Sequence, residues 1–337
     1  MDSRITKSRL ARVLSYDWIK MVALVVAIIF VWSLAFTMGA PRISVGQKFD
    51  LFVYNCDFTK STDESEIFSD AKSKNVFSYD VLDFGARTFT EEYFATLMSA
   101  ITATYEGDIM VLSDFESDKT ENKSKFRSLI DGYAYCFYDY NELVKNAEDY
   151  CMLNHRFVSK NGENYVLNEE VISDYFKTRM QNDPRFRSEE KIAAGVKNEI
   201  ERIKNVWNNS QRLKKLLADH PEIFVKYKRY DQALASAESD RDKARYQELV
   251  SNEEEKLYAI DLGKLTGGEK DITSAFVKTV YNEDYSEIIS SSADGIVMCV
   301  FDYSNAQPDL QFESISFVNY MIKTYSDFLA EPEGLIA

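Results

Sequence analysis

The chain has 337 residues and a mass of 38.9 kDa, which is enough for one large domain or two ordinary ones. Hydrophobic residues make up 45% of it and charged residues 28%, so the chain can build a packed core. The net charge of −15 argues against a nucleic-acid partner, because binding phosphates requires a basic face. With only 2 histidines and 4 cysteines, most zinc and thiol chemistry is excluded as well.

The first feature along the chain is an uncharged run at 21–40. As a helix it would be about 30 Å long, which matches the hydrocarbon core of a bilayer. Residues 1–20 are rich in Lys and Arg, and the residues just after the run carry fewer basic side chains. The positive-inside rule predicts a cytoplasmic tail at 1–20, a transmembrane signal anchor at 21–40 and an extracytoplasmic remainder. The predicted localisation is the cell membrane, as a single-pass protein.

A cleaved signal peptide is the alternative for the same run. The small residues Gly39 and Ala40 lie near its end, where a cleavage site would be expected. The apolar run, however, is longer than the roughly 7–15 residues of a signal-peptide core, and the basic segment before it is unusually long. The pattern therefore favours an uncleaved anchor.

The rest of the chain alternates between strand-like and helix-like patterns. Apolar, β-rich runs occur at 49–58, 75–84, 107–116, 133–140, 257–262 and 295–303. Several are almost continuously apolar, which is typical of strands that are covered on both faces. A helix with one apolar face follows the second run, at 90–103. Strand–helix–strand units of this kind predict an α/β fold with a mostly parallel sheet.

The middle of the chain differs from its two ends. Residues 169–255 predict a helical hairpin or helical lobe, because apolar residues recur at helical spacing from Ile192 to Leu217 and a highly charged stretch follows. The C-terminal segment, 256–337, is predicted to add a strand and an amphipathic helix to the lobe at 41–168. The expected architecture is thus an α/β lobe built from both chain ends, with a long helical insert and one N-terminal transmembrane helix.

Two short patterns follow one another in the first lobe. A helix of the type E-Y-x-x-x-L-x-x-x-I is followed by a strand of the type x-D-I-x-x-L. The matching residues are Glu92, Tyr93, Leu97, Ile101, Asp108, Ile109 and Leu112. Over about 48–116, with a weaker match at 294–329, the chain resembles the first lobe of the extracytoplasmic solute-binding proteins of ABC importers. The resemblance implies a periplasmic-binding-protein-like fold and an accessory role beside the subunits of a membrane transporter.

Carboxylates recur at the ends of the predicted strands. Five of these strands end in an aspartate, and a glutamate and three tyrosines lie beside them. The candidate ligand-binding residues are Asp57, Asp83, Asp114, Glu116, Asp139, Asp302, Tyr54, Tyr138 and Tyr303. Ligands of open α/β sheets bind outside the carboxyl ends of the strands, so this set predicts a site for a neutral or cationic small solute, such as a sugar. In the alternative interpretation, each aspartate ends a strand and caps the next helix or turn.

Motifs of catalysis are absent from the sequence. It contains no G-x-S-x-G, H-E-x-x-H or C-x-x-C, and Gly267–Gly268 lacks the context of a phosphate-binding loop. We therefore expect no enzymatic activity, no cofactor and no metal site. The cysteines are compatible with buried free thiols or with up to two disulfides, and buried thiols are favoured.

Two functions remain open at this point. In the first, the chain is a solute-binding-like module that captures a ligand beside a membrane transporter, which predicts a cleft. In the second, it is a structural or assembly protein that docks an envelope or membrane partner through its helical middle. The second function predicts no cleft and an exposed apolar stripe from Ile192 to Leu217. Whether the domain itself covers that stripe distinguishes the two.

Overall fold

The structure is a computed structural model that describes residues 7–39, 47–59, 64–89, 91–113, 125–281, 288–302, 312–329 and 331–336. The chain divides into two compact units, Met1–Ser44 and Val45–Ala337.

The described part of the first unit is a single helix, α1 (Lys7–Gly39). Among the helices that the structure describes, none combines the length and the apolarity needed to cross a membrane. The predicted signal anchor at 21–40, the single-pass topology and the cell-membrane localisation are therefore wrong.

The second unit contains the remaining helices and all of the described strands. The strands are β1 (Lys48–Tyr54), β2 (Asp57–Phe58), β3 (Asp83–Phe89), β4 (Ile109–Ser113), β5 (Val158–Asn161), β6 (Asn164–Leu167), β7 (Phe224–Tyr227), β8 (Lys256–Asp261), β9 (Phe276–Tyr281), β10 (Ile288–Ser292) and β11 (Ile296–Val300). The helices are α2 (Glu64–Ser73), α3 (Glu91–Thr104), α4 (Lys125–Tyr133), α5 (Tyr140–Asp149), α6 (Glu169–Arg179), α7 (Glu189–Asp219), α8 (Asp231–Ser236), α9 (Asp240–Asn252) and α10 (Glu313–Tyr325).

A mixed six-stranded sheet forms the centre of this unit, in the order β3-β1-β4-β11-β8-β7. Strand β1 pairs in parallel with β3 and β4. The β4–β11, β11–β8 and β8–β7 pairs are antiparallel. The prediction of a mostly parallel sheet is therefore wrong, since the strands from the second half of the chain all enter with antiparallel pairing. The segment predicted as helical also supplies one of these strands, β7.

Side chains from both faces of the sheet are buried. On β1, Leu51 and Val53 belong to the core that α2, α5, α7 and α10 cover, whereas Phe52 and Tyr54 belong to the core on the α3 and α4 side. The same alternation is seen on β4 and β11. Burial on both faces explains why these strands are continuously apolar in the sequence.

The long helix α7 begins at a cap and packs into this core. Ser188 accepts a hydrogen bond from the backbone N–H of Lys191, which satisfies one of the free donors of the first turn. The side chains of Ile203, Trp207 and Leu213 are at most 1% exposed. The apolar stripe of α7 is thus covered by its own domain.

Candidate functional site

The predicted strand-end residues lie at two different edges of the sheet. Tyr54 ends β1 at the edge where the parallel strands finish. Asp83, by contrast, begins β3 and pairs with Lys48 at the opposite edge. Asp302 follows the antiparallel strand β11 and also lies at that opposite edge, because Phe301 donates its N–H to the carbonyl of Asp108 at 3.0 Å.

The other described members have local roles. Asp139 caps α5, because its Oδ1 accepts the backbone N–H of Asn141 at 2.9 Å. Asp57 is exposed at the start of β2, and Tyr138 is buried. Asp114, Glu116 and Tyr303 lie outside the described residues. The segment of Tyr138 pairs with that of Asp302 through a bridge between Phe137 and Phe301, but the structure does not bring the described members of the predicted set together as one site.

A cleft between α7 and α10 is the more developed site in the described part of the unit. It consists of two cavities of about 550 Å³ and 440 Å³, sizes that are typical of ligand sites. Asn75, Val76, Asn205 and Ser316 line both cavities, so the two cavities adjoin each other. We call the pair the α7–α10 cleft.

Helix α7 contributes one polar face to the cleft. Asn198, Arg202, Asn205, Asn209 and Arg212 line it. Their spacing alternates between three and four residues, which places them in one row along the helix. The apolar stripe of α7 faces the core, and this row is left to form a wall of the cleft.

Helix α10 contributes the facing row and is tied to α7 by amide side chains. Asn209 donates from Nδ2 to the hydroxyl oxygen of Ser316 at 2.9 Å. Asn319 donates from Nδ2 to the backbone carbonyl of Asn209, also at 2.9 Å. Lys323 lies one turn further along α10 and lines the second cavity. These hydrogen bonds set the spacing of the two helices.

The segment 72–84 forms the third wall. Phe77 and Phe84 line the first cavity and pack against the core, with their ring centroids 5.1 Å apart. The backbone N–H of Ser78 donates to Oε2 of Glu313 at 3.0 Å, which joins the segment to the start of α10. Burial raises the pKa of Glu313 above its ordinary value, although the hydrogen bond from Ser78 opposes this.

A buried ionic network holds the same segment from behind. Asp80 accepts hydrogen bonds from Arg179 at 2.9 Å and from Arg185 at 3.0 Å. Arg179 also donates to Oε2 of Glu199 at 3.1 Å, and Arg202 donates to both carboxylate oxygens of Glu199. Burial alone would raise the pKa of Glu199, but Arg202 and Arg179 outweigh it and lower the pKa. The network links the segment 72–84 to α6 and α7 and so fixes one wall of the cleft.

Several polar groups of the cleft have no partner within the described residues. The side chains of Asn75, Asn198 and Asn205 form no hydrogen bond there, and Asn205 is half-buried at the border of the two cavities. Oδ1 of Asn319 is buried and accepts no hydrogen bond in the same part of the chain. Each amide offers both donor and acceptor groups, which a ligand with hydroxyl groups would satisfy.

The charges of the cleft are nearly balanced, in contrast to the net charge of −15 on the chain. The lining includes five cationic and four acidic side chains. They are Lys72, Lys74, Arg202, Arg212, Lys323, Glu201, Glu269, Glu313 and Glu331. A neutral polar ligand fits this balance better than a highly charged one. Across the residues described, no group of three or more His, Cys, Asp or Glu side chains is placed to hold a metal ion.

Sequence reasoning missed the α7–α10 cleft because it looked for strand ends. The available signal was the recurrence of asparagine at 198, 205 and 209, which places three amides on one face of a single helix. Comparisons of the chain with models of protein families, with curated proteins and with solved structures find no significant match. The resemblance to solute-binding proteins therefore stays a prediction.

Proposed function

We propose that the unit Val45–Ala337 is a non-catalytic binding module that captures a neutral, hydroxyl-rich solute in the α7–α10 cleft. The observation that carries the proposal is the half-buried amide of Asn205, which has no partner in the described residues and borders both cavities. Its donor and acceptor groups face the cleft without a protein partner, so the hydroxyl groups of a ligand can replace water there.

The burial of α7 also supports this function over an assembly role. An assembly protein that docks through its helical middle would leave the stripe from Ile192 to Leu217 exposed. Trp207 and Leu213 on that stripe are instead within the core, and Leu217 is packed against it. An accessory role beside a transporter rests on the family resemblance alone and is part of the proposal.

Calorimetric titration of the full chain with neutral sugars tests the proposal. The probes are glucose, galactose, N-acetylglucosamine and the disaccharides maltose and cellobiose. We expect at least one of them to bind and the Asn205→Ala variant to bind it about threefold to tenfold more weakly, the range for one lost hydrogen bond.

The control is Asn252→Ala, at the exposed end of α9 and outside the lining of the cleft. This variant removes the same side-chain amide group as Asn205→Ala and should leave the affinity for the sugar unchanged. If no sugar binds to the folded chain, or if Asn205→Ala binds as well as the unmodified chain, the proposal is wrong.

A further inference from the structure

The shape of the α7–α10 cleft bears on the length of its ligand. The two cavities extend from Asn205 in opposite directions along α7, one towards Asn198 and the other towards Arg212. From Asn198 to Arg212 the helix rises by roughly 21 Å. This length is several times the width of one sugar ring, so a single ring would occupy only part of the cleft.

We infer that the α7–α10 cleft binds a linear chain of two or more sugar rings, with at least one ring in each cavity. The inference rests on the proposed function and specifies the class of ligand. Asn75 and Asn205 lie where the two cavities meet, so their amides face the linkage between neighbouring rings.

The two cavities offer different contacts to the two ends of such a chain. The first is lined in part by Phe77 and Phe84, which pack against the core and leave some apolar surface for a sugar ring. The second is lined by Lys323 and by Asn319, whose Oδ1 accepts no hydrogen bond from the described residues, and both side chains suit hydroxyl groups. Lys323 is exposed and forms no ion pair with any described residue, so its ammonium group is available to a ligand oxygen.

A sugar chain fits this lining better than an extended peptide does. Extended peptides are commonly recognised by main-chain hydrogen bonds to the edge of a sheet. The lining of the second cavity includes no residue of a described strand, and the first includes only Phe84, near the start of β3. The walls present mainly side-chain groups, among them amides with free donors and acceptors.

Titration of the full chain with sugars of increasing length tests the inference. The probes are glucose, maltose and maltotriose, then glucose, cellobiose and cellotriose, then N-acetylglucosamine with its β-1,4 dimer and trimer. In at least one series we expect the affinity to rise tenfold or more from one ring to three. The peptide triserine serves as a hydroxyl-bearing comparison and should not bind.

Two variants separate the cavities. Asn198→Ala removes an amide that lines the first cavity only, and Lys323→Gln removes a charge that lines the second only. We expect each to weaken trisaccharide binding about threefold to tenfold, and one of them to leave monosaccharide binding unchanged. Asn252→Ala is again the control.

The outcomes separate this inference from the proposed function. Sugars that bind with no gain in affinity from one ring to three would overturn the inference and leave the proposed function intact. The same conclusion follows if each variant weakens the binding of the monosaccharide and of the trisaccharide by the same factor, since a single subsite is then in use. Triserine binding as tightly as the trisaccharide would overturn the sugar assignment, and a folded chain that binds no sugar would overturn both proposals.

Discussion

Arg202 and Glu199 form a buried ion pair within one turn of α7. Arg202 donates from Nε to Oε2 of Glu199 at 3.1 Å and from Nη2 to Oε1 at 2.8 Å. Neither side chain is more than 2% exposed. Arg179 and the hydroxyl group of Tyr79 also donate to Oε2, so Arg179 and Arg202 share one carboxylate, and Arg179 pairs with Asp80 in addition.

Replacement of Glu199 by Ala should destabilise the domain by about 3–5 kcal/mol. The variant leaves Arg179 and Arg202 close together in the interior without the carboxylate that they share. The free energy of unfolding in urea measures the effect. Because the pKa of Glu199 is lowered in the folded state, its stabilising contribution should be present above its unfolded pKa and be lost as the pH falls through the folded value.

Glu201→Ala provides a matched control for that change. Glu201 is exposed, lies two residues further along α7 and forms no ion pair with a described residue. Its removal should change the stability by no more than about 0.5 kcal/mol. Equal losses in the two variants would mean that the buried pair has no special role in stability.

The titration of Asp108 should make the unfolding free energy depend on pH in the direction opposite to that of Glu199. Burial, with the nearby charge of Asp50, raises the pKa of Asp108 to about 8, although the backbone N–H of Asp50 donates to its Oδ2 at 2.8 Å and opposes the shift. The folded state therefore keeps a proton that an ordinary aspartate releases near pH 4. Its unfolding free energy should fall as the pH rises from about 4 to about 8.

Chemical denaturation at pH 5 and pH 8 measures this slope. Asp108→Asn keeps an oxygen acceptor for Asp50 and removes the titration, so the difference between the two pH values should shrink by roughly 1–2 kcal/mol. This range is smaller than the free energy that corresponds to the full pKa shift, because the side chain of Asp108 is only half-buried. Asp174→Asn, an exposed position on α6, is the control and should leave the slope unchanged. An unaltered slope in Asp108→Asn would show that the carboxyl group is already ionised at pH 5.

The sequence located several strands of the fold but not their directions. The apolar runs at 49–58, 107–116, 257–262 and 295–303 overlap β1, β4, β8 and β11, because strands that are buried on both faces have no polar side. Such runs carry no information on whether neighbours pair in parallel. The prediction of a strand at 133–140 is wrong, since this run forms a 3₁₀ turn at Ala134–Cys136 and the start of α5.

The candidate site depended on contacts that the sequence does not reveal. The asparagine row of α7 is visible as a helical pattern, but nothing local indicates that Asn75 faces Asn205 across a cleft. This arrangement depends on Asp80 and on its arginine partners, which are about a hundred residues away in the sequence. The candidates are divided between the two edges of the sheet because β11 is antiparallel to β4, which places Asp302, and because Asp83 begins β3 instead of ending a strand.

The four cysteines should be unreactive in the folded protein. All are free thiols and all are buried. Burial raises the pKa of Cys56 and Cys151 to about 12 and that of Cys136 to about 11, so the reactive thiolate is scarce at neutral pH. We expect no rapid reaction with a thiol reagent at pH 7 and full labelling in guanidinium chloride. Rapid labelling of the native chain would contradict their burial.

Gly195 and Gly132 should respond in opposite ways to replacement by alanine. Both lie in helices, where alanine is favoured over glycine by about 1 kcal/mol. A Cβ atom at Gly195 would lie 2.8 Å from a ring atom of Phe186 and would also meet the ring of Phe176, whereas one at Gly132 would meet nothing within 4 Å. Gly195→Ala should therefore destabilise the domain by about 1–3 kcal/mol, because α6 must move away from α7. Gly132→Ala should stabilise it by up to about 1 kcal/mol, and thermal or urea unfolding of both variants measures the difference. If both variants were stabilised to the same extent, the close packing of α7 against α6 would be wrong.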